Sequence, residues 1–348
     1  FTDAHVQFRD SLRDWVAREI TPHATAWDEA GGFPRELYKK ASAIGLLGMD
    51  YPEEHGGTPA DLFYHLILSE ELARAGAGGV SASLMSHSIG LPPIKNFGSP
   101  ALQARVIPPV LAGDKIAALA VTEPSGGSDV AALKTTAVRQ SDSSGDHYIV
   151  NGEKVFITSG MRADFITAAV RTDPASKGAN GISALLIEGD MPGLTRTKLD
   201  KMGWWASDTA HLRFDNVRVP AANLIGEEHK GFKTFMTNFN GERLGMAAQA
   251  VAYAQVCFDE ALDWARQRST FGAPSGEGPY LYGKFSIADA YFAPVVFRFN
   301  TYGVKLSPVV ADYVKTMLAH PSMRLWAADS TAEPQVADDE EPEIAYEG

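Results

Sequence analysis

Helical spacing fills the first third of this chain, two-residue alternation fills the next third, and helical spacing then returns. That order constrains the fold more than any single motif. In FTDAHVQFRDSLRDWVAREI, the residues Val6, Phe8, Leu12, Trp15, Val16 and Ile20 fall near one helix face. PRELYKKASAIGLLGM reads as a second amphipathic helix, with Pro34 suited to its first turn, and PADLFYHLILSEELARA as a third that ends at GAGG. SPALQARVIPPVLAGD opens on a cap signal at Ser99, and Pro108-Pro109 is expected to interrupt or end that helix. Residues 1–115 therefore read as an N-terminal α-helical domain.

Period-two runs follow, among them AALAVTE, HYIVNG, EKVFITSG, DFITAAVRT and ISALLIEG, punctuated by turn residues in SDSSGD, VNGEK and DMPGL. Residues 116–228 are expected to form a β domain of seven or eight short strands, a sandwich or barrel. A long helix then runs to Phe271-Gly272, so that 229–272 reads as the first long helix of a C-terminal α domain. The fold class is α+β and multidomain.

At 348 residues, two or three domains are the natural expectation. Acidic residues outnumber basic ones, 43 to 31, and the net charge of −12 argues against nucleic acid as a partner. Cys257 is the only cysteine, which excludes an intrachain disulfide framework and a cysteine-rich metal site. No apolar run reaches membrane-spanning length, so no membrane insertion is expected, and the expected location is cytoplasmic or an organelle matrix. The chain begins with Phe, not Met, and is read as starting inside a longer gene product.

Where the run ending at Val121 breaks, the chain reads Thr122-Glu123-Pro124-Ser125-Gly126-Gly127-Ser128-Asp129. Such a loop is either a turn at a strand end or a place where backbone N–H groups approach a ligand, and the loop alone leaves both open. Taken together, LAVTEPSGGSD, YIVNGEKVFITSG, KMGWWASDTAHLRFDNVRVP and GERLGMAAQAVAYAQVCFDEALDWARQRSTFG resemble the acyl-CoA dehydrogenases, in the same order and spacing, over residues 1–272.

That resemblance implies FAD, bound where the β domain meets the C-terminal helices. It also implies oxidation of an acyl-CoA thioester to the trans-2-enoyl-CoA, by α-proton abstraction and β-hydride transfer to the flavin, in fatty acid metabolism. The electron acceptor it implies is an electron-transfer flavoprotein. Leu119, Val121 and Thr122 would line the flavin ring, Gly127 and Ser128 would make close contacts, and Phe156 and Thr158 would lie on its far side. Ser128 would also meet the CoA. Arg268 and Phe271 would reach the FAD of a neighbouring subunit, which implies a homo-oligomer if the helical bundle can form. Family members carry the catalytic carboxylate in one of two places. Glu242, just before Arg243 on the long helix, matches the position used by the isovaleryl and long-chain branches, with Arg243 on the CoA side. The plain alternative is a Glu–Arg pair on a solvated helix face.

Beyond Gly272 the expected family pattern stops. APSGEG, residues 273–278, reads as a junction, and residues 279–330 resemble the C-terminal helical domain of bacterial glutathione transferases, most closely over 279–326. Ser286-Ile287-Ala288-Asp289 fits that domain's capping box, and Tyr313, Met317, His320-Pro321 and Trp326 fit its closing segment. The thioredoxin-like domain that would hold glutathione is missing, so transferase activity is not expected. The junction reads as a fusion or a misassembled reading frame, and replacement of the bundle would impair flavin binding. Residues 331–348 read as an acidic, disordered tail. Two further readings stand beside the dehydrogenase: an acyl-CoA oxidase or flavin monooxygenase of the same superfamily, and a non-catalytic helical interaction module.

Overall fold

The structure, a computed structural model, describes residues 1–267, 269–270, 273–274, 278–281 and 283–332. Half of the expected junction and nearly all of the expected tail lie outside these residues. Two units are distinguished, Phe1–Val256 and Cys257–Gly348.

The first unit opens with eight helices: α1 (Asp3–Glu19), α2 (Ala24–Ala30), α3 (Glu36–Ala43), α4 (Leu62–Ala73), α5 (Gly78–Leu84), α6 (His87–Gly90), α7 (Pro92–Phe97) and α8 (Pro100–Leu111). In α1 the expected apolar face holds at Leu12, Trp15 and Val16, with Ile20 buried just beyond the helix. Val6 is the exception, half exposed one turn from the helix start. Asp61 caps α4 by accepting the N–H groups of Phe63 and Tyr64. Ser99 caps α8 as expected, accepting the Leu102 N–H at 3.2 Å. Pro108 and Pro109 do not interrupt α8, which runs through both to Leu111. The helix ends two residues after the pair, so a proline there disturbs only the last turn. The Pro108 and Pro109 carbonyls accept the N–H groups of Ala112 and Asp114.

Eight strands follow: β1 (Ala117–Ala120), β2 (Thr136–Asp142), β3 (Gly145–Thr158), β4 (Phe165–Arg171), β5 (Ile182–Glu188), β6 (Leu194–Lys198), β7 (Thr209–Pro220) and β8 (Leu224–Ile225). They form one sheet in the order β6-β7-β3-β2-β4-β5-β8, with β1 parallel to β4 off this path. β4 and β5 do not alternate between polar and apolar; six successive residues in each are buried. Successive side chains point to opposite faces of a sheet, and here both faces are covered. Phe165, Ala169, Ala184 and Leu186 join a core shared with Leu91, just after α6, Ile94 of α7 and Val106 of α8. Ile166, Ala168, Leu185 and Ile187 join a second core with Val150, Leu212 and Val217 of β3 and β7.

A single helix, α9 (Gly231–Gln267), follows the sheet. Its first residue is pressed against β5: a Cβ on Gly231 would stand 2.4 Å from the Ser183 carbonyl carbon, which only glycine avoids. One turn later Phe235 is buried in the core that holds Phe165 and Leu186. The second unit contains α10 (Ile287–Thr301), α11 (Pro308–Ala319) and α12 (Pro321–Ala332), around a small core of Ala293, Val296, Val314, Met317 and Met323. The capping interaction expected at α10 is present: Asp289 accepts the Ser286 N–H at 2.9 Å and its hydroxyl at 3.0 Å. The other oxygen of Asp289 accepts the Leu281 N–H and the Tyr313 hydroxyl.

Candidate active site

The loop after β1 is irregular but firmly held. The Thr122 carbonyl accepts the Val155 N–H of β3 at 2.9 Å. Leu119 is partly buried and Val121 buried, both in the core that α9 enters with Phe235. Thr122 is half-buried, and Gly127 and Ser128 are exposed. The sequence suggested that Gly127 lets a ligand approach. Within the chain the close neighbour is Thr122, whose Cγ2 would lie 3.0 Å from a Cβ at 127, so the glycine lets the loop fold over its own stem.

Phe156 owes its placement to a bulge. Lys154 pairs with Leu212 of β7 and Ile157 with Ala210, so three steps along β3 match two along β7. The extra residue reverses the inward–outward alternation. Phe156 consequently projects outward, 70% exposed, from a backbone at φ +62°. For a bulky residue that left-handed conformation is strained, of the kind found where a side chain must be held in one place. Thr158, at the end of β3, is half-buried.

Glu242 lies on α9 and is half-buried, and Arg243 beside it is exposed. At ~100° per residue, Phe235, Glu242, Met246 and Tyr253 fall within about 20° of one line along the helix. This face is fixed at two points. Phe235 is buried in the core of Leu119 and Val121, and the Tyr253 ring lies 6.3 Å from that of Trp204. Between them Glu242 is half-buried and Met246 is 68% exposed. Arg268 and Phe271 lie outside the described residues.

Sequence reasoning missed one feature. Lys154 and Glu123 form an ion pair at 2.9 Å with both side chains buried. Burial pushes the lysine down to about 8, with Glu123 opposing the shift. Burial also acts to raise the Glu123 carboxyl, but Lys154 and the N–H of Lys134 outweigh it and hold the group below the usual range. The signal was present: Tyr148, Val150 and Lys154 share the inward parity of β3. Among the described residues no group of His, Cys, Asp and Glu could hold a metal ion, and no helix is long and apolar enough to cross a membrane.

Comparison with known proteins places this geometry. The sequence matches the acyl-CoA dehydrogenase N-terminal domain over residues 2–114, the middle domain over 118–217 and the C-terminal domain over 229–292. An acyl-CoA dehydrogenase of Bacillus subtilis (strain 168) is 39% identical over 290 residues, 83% of this chain and 74% of that protein. The mitochondrial isovaleryl-CoA dehydrogenase of Oryza sativa subsp. japonica is 38% identical over 295 residues, 84% of this chain and 70% of that one. The crystal structure of a probable acyl-CoA dehydrogenase from Mycobacterium abscessus superposes with a TM-score of 0.76 at 42% identity, covering 94% of this chain and 86% of that chain.

The likeness does not stop at Gly272 as the sequence suggested. The C-terminal family match runs through residues 273–278 and into α10, and no comparison supports a glutathione-transferase-like segment. By these matches the chain belongs to the acyl-CoA dehydrogenase family, whose members are FAD-dependent oxidoreductases.

Proposed function

We propose that this chain oxidises a long or branched acyl-CoA to its trans-2-enoyl-CoA, with Glu242 as the base. The observation that carries the reading is the shared core of Leu119, Val121 and Phe235. Glu242 follows seven residues, or ~10 Å, along the same face of α9, which supports a base beside the elements that would hold the flavin. A relative named as an isovaleryl-CoA dehydrogenase, and others named as long-chain acyl-CoA dehydrogenases, support the choice of a branched or long substrate.

The residues present suit FAD. A flat ring with apolar faces and one polar edge needs an apolar wall beside hydrogen-bonding groups. Exposed Phe156 offers the wall, and Thr122, Gly127, Ser128 and Thr158 offer hydroxyl and N–H groups. Leu119 and Val121 would close the ring's inner side. When bound, FAD accepts the hydrogen and electron pair that leave the substrate's β carbon. Glu242 takes the α proton, and its half-buried setting on a helix face limits the water that would stabilise its charge. Arg243, one residue on and exposed, suits a CoA phosphate, and Ser128 suits the pantetheine or pyrophosphate.

Arg268 and Phe271 would contact FAD in a second copy of the chain. Leu244, Val251 and Phe258, spaced by seven on α9, are 45%, 72% and 52% exposed and suit burial in such a homo-oligomer. Flavin affinity then depends on that assembly. The buried Asp289 cap supports a structural role for α10–α12, and no transferase chemistry is assigned to them.

The test is product analysis with FAD, straight and branched saturated acyl-CoAs, and an electron-transfer flavoprotein or artificial acceptor. Enoyl-CoA, lighter by two hydrogens and formed in step with acceptor reduction, is the expected result. Product formed with oxygen uptake and peroxide instead would make the chain an oxidase. No product with any acceptor would overturn the reading.

A further inference from the structure

The buried pair of Glu123 and Lys154 is expensive and has no part in the chemistry above. Taking two charges out of water costs several kcal/mol each, and apolar residues of similar volume generally stabilise a fold as well or better. What the pair does is visible in its bonds. Lys154 Nζ donates to the Val121 carbonyl and to Glu123 Oε1, both at 2.9 Å. Glu123 also accepts the Thr135 N–H at 2.9 Å and the Lys134 N–H at 2.6 Å. Three pieces of chain are thereby tied together: the loop at 121–123, the entry to β2 at 134–135, and β3 at 154. The Val155 N–H binds the Thr122 carbonyl one residue further on, and the next residue is the bulged, outward Phe156.

We propose that Glu123 and Lys154 are positioning residues of the flavin site, holding the 121–123 backbone at a fixed distance from β3 and so setting the gap between that loop and Phe156. This rests on the flavin site proposed above. The pair touches neither ring nor substrate; it acts through the elements that do. A buried ion pair suits the task because its length and direction are fixed by hydrogen bonds, whereas an apolar contact tolerates sliding.

The experiment uses the full chain and compares Lys154→Met, Lys154→Arg and Glu123→Gln. FAD affinity and the visible spectrum of the bound flavin are measured at a temperature where circular dichroism shows each FAD-free protein folded. Lys154→Met is expected to weaken FAD by about tenfold or more, about 1.4 kcal/mol or more, and to shift or broaden the flavin bands. Lys154→Arg should recover much of the affinity, because it keeps a charged donor. Glu123→Gln should fall between, since its amide oxygen still accepts an N–H; it carries the test if Lys154→Met does not fold. If Lys154→Met lowers only the melting temperature and keeps wild-type affinity and spectrum, the pair is structural and the inference fails. If the wild-type chain itself takes up no FAD, the flavin reading fails, and this inference with it.

Discussion

The loop at 121–135 and the helices at 287–332 invert the usual link between regularity and definition. The loop has almost no regular structure, yet its backbone is fixed by a buried ion pair and by hydrogen bonds to β3. The helices are regular and α10 is well capped, yet among the described residues only five buried side chains form the centre of their apolar core. Ile287, Tyr291 and Val309 are more than three-quarters exposed. Definition follows the network of satisfied polar groups and filled volume, not the hydrogen-bonding pattern of the backbone.

The sharpest challenge to this contrast is Glu242→Gln. It should slow flavin reduction by acyl-CoA about 10²- to 10⁴-fold, the usual contribution of a positioned base, while FAD stays bound. Rapid-mixing absorbance reads both. Surviving activity would move the chemistry away from the α9 face.

Met317→Ala comes next. Met317 is fully buried in the small core, and its truncation should cost about 2–5 kcal/mol. Hydrogen exchange should show the loss in α10–α12 while the β strands stay protected. Equal deprotection of β4 and β5 would abolish the contrast between the regions.

Acid should cost the first unit about 3 kcal/mol, through a histidine outside both regions. Burial holds the His87 imidazole down to about 4, below the ordinary value near 6.5. As pH falls, the unfolded chain therefore gains its proton first, so this stability is complete above about 6.5 and is lost progressively toward about 4. Thermal melts across that interval should show the slope, and His87→Gln should flatten it.

The smallest effect concerns strain. Phe156→Gly frees the φ +62° backbone, so the FAD-free protein should hold its stability or gain up to about 1 kcal/mol. FAD should bind several-fold more weakly for want of the ring. Isothermal titration and melting together check this. Stability lost without any change in FAD affinity would make Phe156 a packing residue.

Much of this was legible in the sequence, for physical reasons. Strand and helix periods differ enough that the order of elements could be read directly, and Ser99 announced the start of α8. The quoted motifs carried the family. Other features depend on context that one chain segment does not hold. β4 and β5 are buried over six successive residues, and largely apolar, because helices cover one face and strands the other. Phe156 faces outward because a bulge reverses the alternation that Tyr148 and Val150 establish. Lys154 was passed over because a lysine reads as surface, although its parity in β3 is inward. The end of the family likeness was placed at Gly272, where the motifs thin out, while the family match continues to residue 292.

The most direct measurement is the visible spectrum of the purified full chain under anaerobic conditions, with FAD supplied, before and after a saturated acyl-CoA is added. A flavin spectrum that bleaches on addition is the predicted result. A protein that stays colourless after incubation with FAD, or a bound flavin that acyl-CoA leaves unchanged, would contradict the account.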